Sequence, residues 1–357
     1  MSLSLRTRWA VPAVGAAAVA AALVVSPVVA DAAPSLPPRT AAELLASTQN
    51  AIDHPFSGTV VETARLGLPE LPSTGGGSTS LSAASLVTGS HTARIWYAAP
   101  DRTRLALVGN LAETDVIRSG SDVWTWSSAD NTAKHTKLPA ETTKAPTASP
   151  LTPDQAAAQA LAAIDPTTVV KVEGTASVAG RSAYELVLTP RDARSLVGQV
   201  RLAVDSVTST PLRVEVFARG GSKPAFETAF TSVTFATPAA SVFTFSPPPG
   251  AKVTEQALPA QPNEAARTKQ ADQAGGPTVV GTGWTSVMVL KGVDATGAGN
   301  NAQLSTLLRS AQRVTGSYGS GRVLHTALVS ALLLDDGRLF VGAVTPAVLE
   351  QAATRAG

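Results

Sequence analysis

The sequence predicts an α+β protein: a large, strongly curved antiparallel sheet covered by helices, followed by a small C-terminal α+β domain. Three observations predict this. Between Phe56 and Pro249, short alternating apolar and polar runs follow one another, each bounded by turn residues such as Pro100-Asp101, Gly109-Asn110 and Ser119-Gly120. Short strands with short connections form antiparallel meanders rather than βαβ units. Helical periodicity accompanies these runs twice, which supplies a cover for one apolar face. After a polar, Pro/Gly-containing stretch from Ala251 to Pro277, strand and helix signals resume over 278–357.

Composition narrows the function classes. Charged residues make up 15% of the 357, hydrophobic ones 44%, and the formal net charge is +2. The basic residues are dispersed, without the stripe or patch of a nucleic-acid binder, so no nucleic-acid partner is expected. Cysteine is absent. This excludes disulfides, thiolate nucleophiles, Cys-ligated metals and a Cys-linked lipid anchor. A chain of this length can bury a core without disulfides.

The elements follow in order. Arg6 and Arg8 precede the apolar run "WAVPAVGAAAVAAALVV" and then "SPVVADAAP". This is the pattern of a secretory signal peptide over residues 1–30, with small residues placed for cleavage after Ala30 or Ala32. The alternative is an uncleaved N-terminal anchor. "TAAELLASTQNAID" from Thr40 is a helix, with Thr40 and Glu43 as a capping box, and it should stop before His54-Pro55. "FSGTVVETARL" is a strand. The Pro/Gly/Ser-rich stretch from Gly67 to His91 is too long for a hairpin turn and reads as a loop. Further strands are "TARIWYAA", "RTRLALV", "ETDVIRS", "DVWTWSS" and "TAKHTKL". A second helix begins at Thr152, with Pro153 in its first turn and Gln155 completing a capping box, and ends at Asp165-Pro166. Strands resume from "TVVKVEGTASVAG" through "RSAYELVLTP", "GQVRLAVDS", "PLRVEVFAR" and "PAFETAFTSVTFA" to "SVFTFSPPPG". In "PLRVEVFAR", Leu212, Val214 and Val216 oppose Arg213 and Glu215, so one face is apolar and one solvated.

Residues 254–277 read as a linker and 278–357 as the second domain. In that domain "TVVGTGWTSVMVLKG" is a strand and "NNAQLSTLLRSAQRVTG" a helix, with "GSYGSG" as the break after it. Asp336-Gly337 turns a hairpin between two apolar strands, and a short helix with Pro346 in its first turn closes the chain.

No catalytic constellation emerges. His54, His91, His135 and His325 are scattered, without metal-ligand spacing. "GGGSTS" lacks the Lys and helix of a phosphate loop, and no carboxylate pair marks a cleft. The chain is therefore expected to be no enzyme and to use no cofactor or metal. The aromatic clusters remain. Trp124 and Trp126 sit two apart on a strand and share a side, as do Ile95 with Tyr97 and Leu105 with Leu107. Together with Leu186 and Val214 they are the candidate lining of an apolar cavity. Periodicity does not separate that reading from an ordinary core.

The order of motifs resembles the LolA/LolB/RseB superfamily. "WYAAPDRTRLAL" is followed by "VIRSGSDVWTWSSADNTAKHTKLP", then "VAGRSAYELVLTP", "LAVDSVTSTPLRVEV" and the close "VFTFSPPPGAKV". The resemblance spans residues 40–253. It implies a half-barrel closed by helices around a hydrophobic cavity, and a carrier or sensor of lipids or lipoproteins outside the cytoplasm. The second domain is similar to the RseB-like layout, which implies regulation of a membrane-anchored anti-sigma factor. Trp126 stands where such proteins often carry a hydroxylated aromatic, and the 67–91 stretch is an addition to the pattern.

Three functions stay open at this point. One is a non-enzymatic extracytoplasmic binder of a lipid or an acylated protein, with Leu66, Leu68, Leu71, Leu81 and Leu86 of the 67–91 loop as a candidate lid. The second is an adaptor that binds a membrane-anchored regulatory protein through residues 278–357. The third is an envelope hydrolase of unrecognised type.

Overall fold

The computed structural model describes residues 34–49, 54–68, 89–109, 112–139, 152–162, 164, 166–257, 276–293 and 309–356. The expected signal peptide, most of the 67–91 loop and most of the linker lie outside the described residues. So does the first part of the helix expected from Asn300.

Two meanders form one large sheet. The first comprises β1 (Phe56–Ala64), β2 (Gly89–Ala99), β3 (Arg102–Val108), β4 (Glu113–Ser119), β5 (Asp122–Ser127) and β6 (Thr132–Lys137). The second comprises β7 (Thr168–Val178), β8 (Arg181–Pro190), β9 (Val197–Asp205), β10 (Pro211–Ala218) and β11 (Pro224–Thr234). Pairing of β1 with β11 joins them, and β12 (Lys252–Ala257) adds to the free side of β6. The order is β12-β6-β5-β4-β3-β2-β1-β11-β10-β9-β8-β7, a large open curved sheet. All its pairs are antiparallel except β12 with β6.

The alternation within strands decides which side packs. Leu186, Leu188, Val200, Leu202, Val204 and Val214 form the main core with Leu44 of α1 (Ala41–Gln49) and Ala156, Ala157 and Ala160 of α2 (Pro153–Ala162). The N-terminus of α1 is closed as the sequence indicates: Thr40 N–H donates to Glu43 Oε2 at 2.8 Å and Glu43 N–H to Thr40 Oγ1 at 3.2 Å. At α2, Gln155 N–H donates to Thr152 Oγ1 at 3.1 Å, but Gln155 Oε1 lies buried without a hydrogen-bond partner, so that box is half made. Gly58 is required where β1 crosses the β11 bulge. A Cβ there would stand 2.6 Å from Ser232 O and 2.9 Å from the Phe230 ring.

A second sheet of six strands has the order β13-β14-β18-β17-β16-β15. Its strands are β13 (Thr278–Val280), β14 (Val287–Leu290), β15 (Gln312–Gly316), β16 (Gly319–His325), β17 (Ser330–Leu334) and β18 (Leu339–Gly342). The helix α3 (Pro346–Arg355) covers one face, with Leu349, Ala352 and Ala353 packed among Val287, Val289, Leu332 and Phe340. Asp336-Gly337 turns the β17–β18 hairpin as expected, with Gly337 at φ 84°.

Four expectations fail. "TVVGTGWTSVMVLKG" is not one strand: Thr278–Val280 and Val287–Leu290 pair antiparallel with each other, joined through a 3-10 turn at Gly283–Thr285. "SVFTFSPPPG" is not a strand: Ala240–Phe243 is a single 3-10 turn and the rest is irregular. Pro247, Pro248 and Pro249 have no N–H to give a ladder, which bars this stretch from a sheet interior. The strand comes instead at Lys252–Ala257, inside the expected linker, where parallel pairing with β6 supplies its hydrogen bonds. The end of the expected 300–316 helix is β15, and "GSYGSG" is the turn of the β15–β16 hairpin, with Gly316 opposite Gly319. Val314 and Thr315 are β-branched, and tertiary pairing overrides the helical spacing there.

Candidate functional site on the inner face of the large sheet

Cross-strand register assigns every candidate residue to a face. Residues directly opposite in a ladder point to the same side. Leu186 stands opposite Leu202, Leu202 opposite Val214, Val214 opposite Thr228, and Thr228 opposite Glu62. Gly58 and Val60 share the side of Glu62 by alternation. They stand opposite Ile95 and Ala93, which in turn face Leu105 and Leu107. Tyr97 lies two residues from Ile95. By register, six of the eight candidates, Ile95, Tyr97, Leu105, Leu107, Leu186 and Val214, fall on one side of the sheet, and α1 and α2 pack on it at Leu186 and Val214. Leu186 and Val214 belong to the helix-covered core, while Ile95 and Leu105 belong to a second apolar cluster with Val60, Phe56 and Phe230. Tyr97 stacks on Phe56 with ring centroids 5.8 Å apart.

Trp124 and Trp126 do not join them. Trp96, Arg104, Ile117, Trp124 and His135 form one continuous cross-strand row, and this row is on the opposite, outer face. The same outer face carries the ion pairs Arg213–Glu185 (2.5 Å) and Arg201–Glu173 (3.7 Å) farther along the sheet. The two tryptophans therefore do not share the side of the sheet that carries the other six. The physical reason is register: β5 meets β4 so that Trp124 falls opposite Ile117 rather than opposite Val116.

What covers the tryptophans is the chain itself. The Phe245 ring lies 5.3 Å from Trp124 and 6.0 Å from Trp126, centroid to centroid. Arg104 ties this cover down, donating from Nη1 to the Val242 carbonyl at 3.4 Å while its guanidinium sits 5.3 Å over Trp96. Arg104 also pairs with Asp115, whose carboxyl is buried and pushed up by that burial and by the neighbouring Glu113. Phe245→Ala should cost about 2 kcal/mol, half the value of a fully buried ring. Urea unfolding measures the loss, and a red shift of native tryptophan emission should accompany it.

His135 completes the outer row. It stacks on Trp124 at 4.4 Å, and its two ring nitrogens contact carboxylates, Nε2 with Asp122 Oδ1 at 2.9 Å and Nδ1 with Glu255 Oε2 at 2.8 Å. Carboxylates only accept, so both contacts are hydrogen bonds only when the ring is the imidazolium. Burial alone would lower the His135 pKa, but the hydrogen bonds and charges of Asp122 and Glu255 raise it overall. A raised folded pKa stabilises at low pH and loses that contribution as pH rises through it. Amide exchange in Lys252–Ala257 should therefore speed up between pH 6 and pH 8 beyond its intrinsic rate, and His135→Gln should abolish the excess.

The residue that sequence reasoning missed is Glu62. It lies on the inner face, between the two groups of apolar candidates, and is 3% exposed. Burial pushes its carboxyl up to about 7, and its Oε2 has no hydrogen-bond partner. The signal was present in the sequence: Phe56, Gly58, Val60, Glu62 and Ala64 alternate, so an acid stands at an inward position. Among the described residues the inner face holds a second buried ion, Arg118 (4% exposed), whose Nε donates to the Gly120 carbonyl at 3.1 Å. No group of three or more His, Asp or Glu is placed to hold a metal among the described residues.

The two sheets meet at the end of the helix-covered core. Trp284 and Leu328 pack into it, and Trp284 Nε1 donates to Thr168 Oγ1 at 2.9 Å. Ala327 N–H donates to the Leu66 carbonyl at 2.9 Å, and Thr345 N–H to Arg194 at 3.0 Å.

No family model matches the chain, and no curated protein matches it. Solved structures do. The MucA/MucB complex of Pseudomonas aeruginosa matches at 16% identity and a TM-score of 0.42, over 88% of this chain and 96% of that one. A LolA superfamily protein from Nitrosomonas europaea matches at 10% identity and a TM-score of 0.22, over 58% of this chain and 99% of that one. A putative outer membrane lipoprotein-sorting protein domain from Vibrio parahaemolyticus matches at 10% identity and a TM-score of 0.22, over 56% and 94%.

Proposed function

We propose that this chain is a non-enzymatic binder of a lipid or of the acyl chain of a lipoprotein, acting outside the cytoplasm as a carrier or envelope sensor. One observation carries the reading. Ile95, Tyr97, Leu105, Leu107, Leu186 and Val214 are scattered over four strands of two meanders, yet register brings them to a single face. Tyr97 and Leu105 are only half-buried, so they are the positions where an alkyl chain gains contact. Each methylene removed from water contributes about 0.8 kcal/mol, which makes a long chain a sufficient ligand without any polar anchor. Export rests on the N-terminal pattern of residues 1–30, and the sequence resemblance supports the same compartment. Among the described residues no helix is long and apolar enough to cross a membrane.

Native mass spectrometry of protein purified from its own host tests the proposal, together with titration of an uncharged fluorescent fatty-alcohol probe. A mass shift equal to a lipid and probe binding that weakens at least tenfold in Leu105→Asp are expected. A ligand-free spectrum with no probe binding sinks the reading.

A second reading has its own observation. The 278–357 unit is hydrogen-bonded at Leu66, the residue that leads into the 67–91 stretch, and it inserts Trp284 and Leu328 into the core below. That attachment favours an adaptor in which residues 278–357, as a domain, dock a membrane-anchored regulatory protein. Pull-downs with and without residues 278–357 test it. Identical partners from both chains would refute it.

A further inference from the structure

We infer that the inner face selects amphiphiles whose polar head donates a hydrogen bond, an ammonium or a hydroxyl, and that Glu62 is the group that reads it. The inference rests on the alkyl-binding reading above and names its ligand class.

Three features of the geometry converge on Glu62. First, position: the row Glu62–Thr228–Val214–Leu202–Leu186 runs from it toward the helix-covered core. On its other side Val60 and Ala93 lead to Leu107, Ile95 and Leu105. The carboxyl therefore interrupts the apolar surface between its two clusters. Second, burial: the residue is 3% exposed, so its head is not answered by bulk water. Third, an unmet valence: Oε2 has no hydrogen-bond partner. A buried acceptor left unpaired is costly, so such a group calls for a donor that the chain itself does not supply. The residues opposite Glu62 in the ladder are His91 on β2 and Thr228 on β11.

The chemistry follows from the carboxyl. An oxygen that accepts gains most from a donor, and most of all from a charged one. An ammonium or hydroxyl head would satisfy Oε2, whereas a second carboxylate there would repel it. The alkyl tail would lie along the apolar residues of the same face. A fatty acid is thus the disfavoured amphiphile at this site.

Three probes of equal chain length test this by isothermal titration of the full chain: dodecylamine, 1-dodecanol and dodecanoate, at pH 8. Wild type should bind the amine at least tenfold more tightly than dodecanoate, with the alcohol between. Glu62→Gln keeps the shape and removes the charge, so the affinities for amine and dodecanoate should converge. Retention of the tenfold preference in Glu62→Gln overturns the inference. Preference of wild type for dodecanoate also overturns it, and would assign the head to Arg118. Equal binding of all three defeats head selection but leaves alkyl binding standing. Binding of none by protein with a normal thermal transition defeats the alkyl-binding reading itself.

Discussion

Arg181→Ala is expected to destabilise the protein by about 3–5 kcal/mol, the cost of leaving a buried charge without its partner. The charge is Asp205, 1% exposed at the end of β9. Arg181 Nε and Nη2 donate to its two oxygens at 2.5 and 2.9 Å. Asp205 Oδ1 also accepts from the backbone N–H of Val207 (3.0 Å) and Thr208 (2.7 Å) and from Thr208 Oγ1 (2.9 Å). One carboxylate therefore holds the β9–β10 turn and ties it to the start of β8. Burial alone would raise the Asp205 pKa, but these hydrogen bonds outweigh it and lower it. A depressed carboxylate stabilises above its ordinary pKa and loses that contribution as pH falls through the folded value. The deficit of Arg181→Ala should therefore be largest near neutral pH and shrink in acid, where Asp205 takes up a proton. Urea unfolding at pH 7 and pH 3 measures both. Arg181→Lys keeps the charge but not the two-pronged geometry, so it should recover only part of the loss. An equal deficit at both pH values would place the effect in packing against Phe235, over whose ring the guanidinium lies at 4.7 Å.

Glu62→Gln is expected to have the opposite sign. The folded protein holds this proton to about pH 7, against 4.5 for an ordinary glutamate. The unfolded chain ionises first, so wild-type stability falls as pH rises through that window. At about 1.36 kcal/mol per pH unit the fall amounts to about 3 kcal/mol. Gln cannot ionise. Glu62→Gln should match wild type near pH 4 and exceed it by up to about 3 kcal/mol at pH 8, as read from chemical unfolding at the two pH values. A residue that weakens the fold at neutral pH is consistent with a group kept for recognition rather than for stability. A flat difference across pH 4–8 would mean that Glu62 reaches water in the folded state.

Much of the fold was legible because it depends on short-range pattern. Strand alternation marked β1 to β11, and the Thr40–Glu43 box closes α1 as read. The failures share a cause. "SVFTF" alternates like a strand and "LLRSAQRV" is spaced like a helix, but the partners available in space decided both. Pro247 to Pro249 had no ladder to offer, and β16 offered one to Gln312–Gly316. β12 was unreadable for the same reason, since its parallel mate β6 lies more than a hundred residues away in the chain.

The candidate site divides along the same line. From the sequence alone, Trp124 shares a side with Trp126 and Ile95 shares one with Tyr97, because successive side chains in a strand alternate. The sequence also placed Glu62 in phase with Val60 and Gly58. Only the tertiary structure decided that the Ile95 side and the Leu186 side are one face, that the tryptophans lie on the other, and that Phe245 covers them. Alternation is a property of one strand, whereas the identity of a face belongs to the register between strands. A shift of one residue in that register would exchange every inner residue for an outer one.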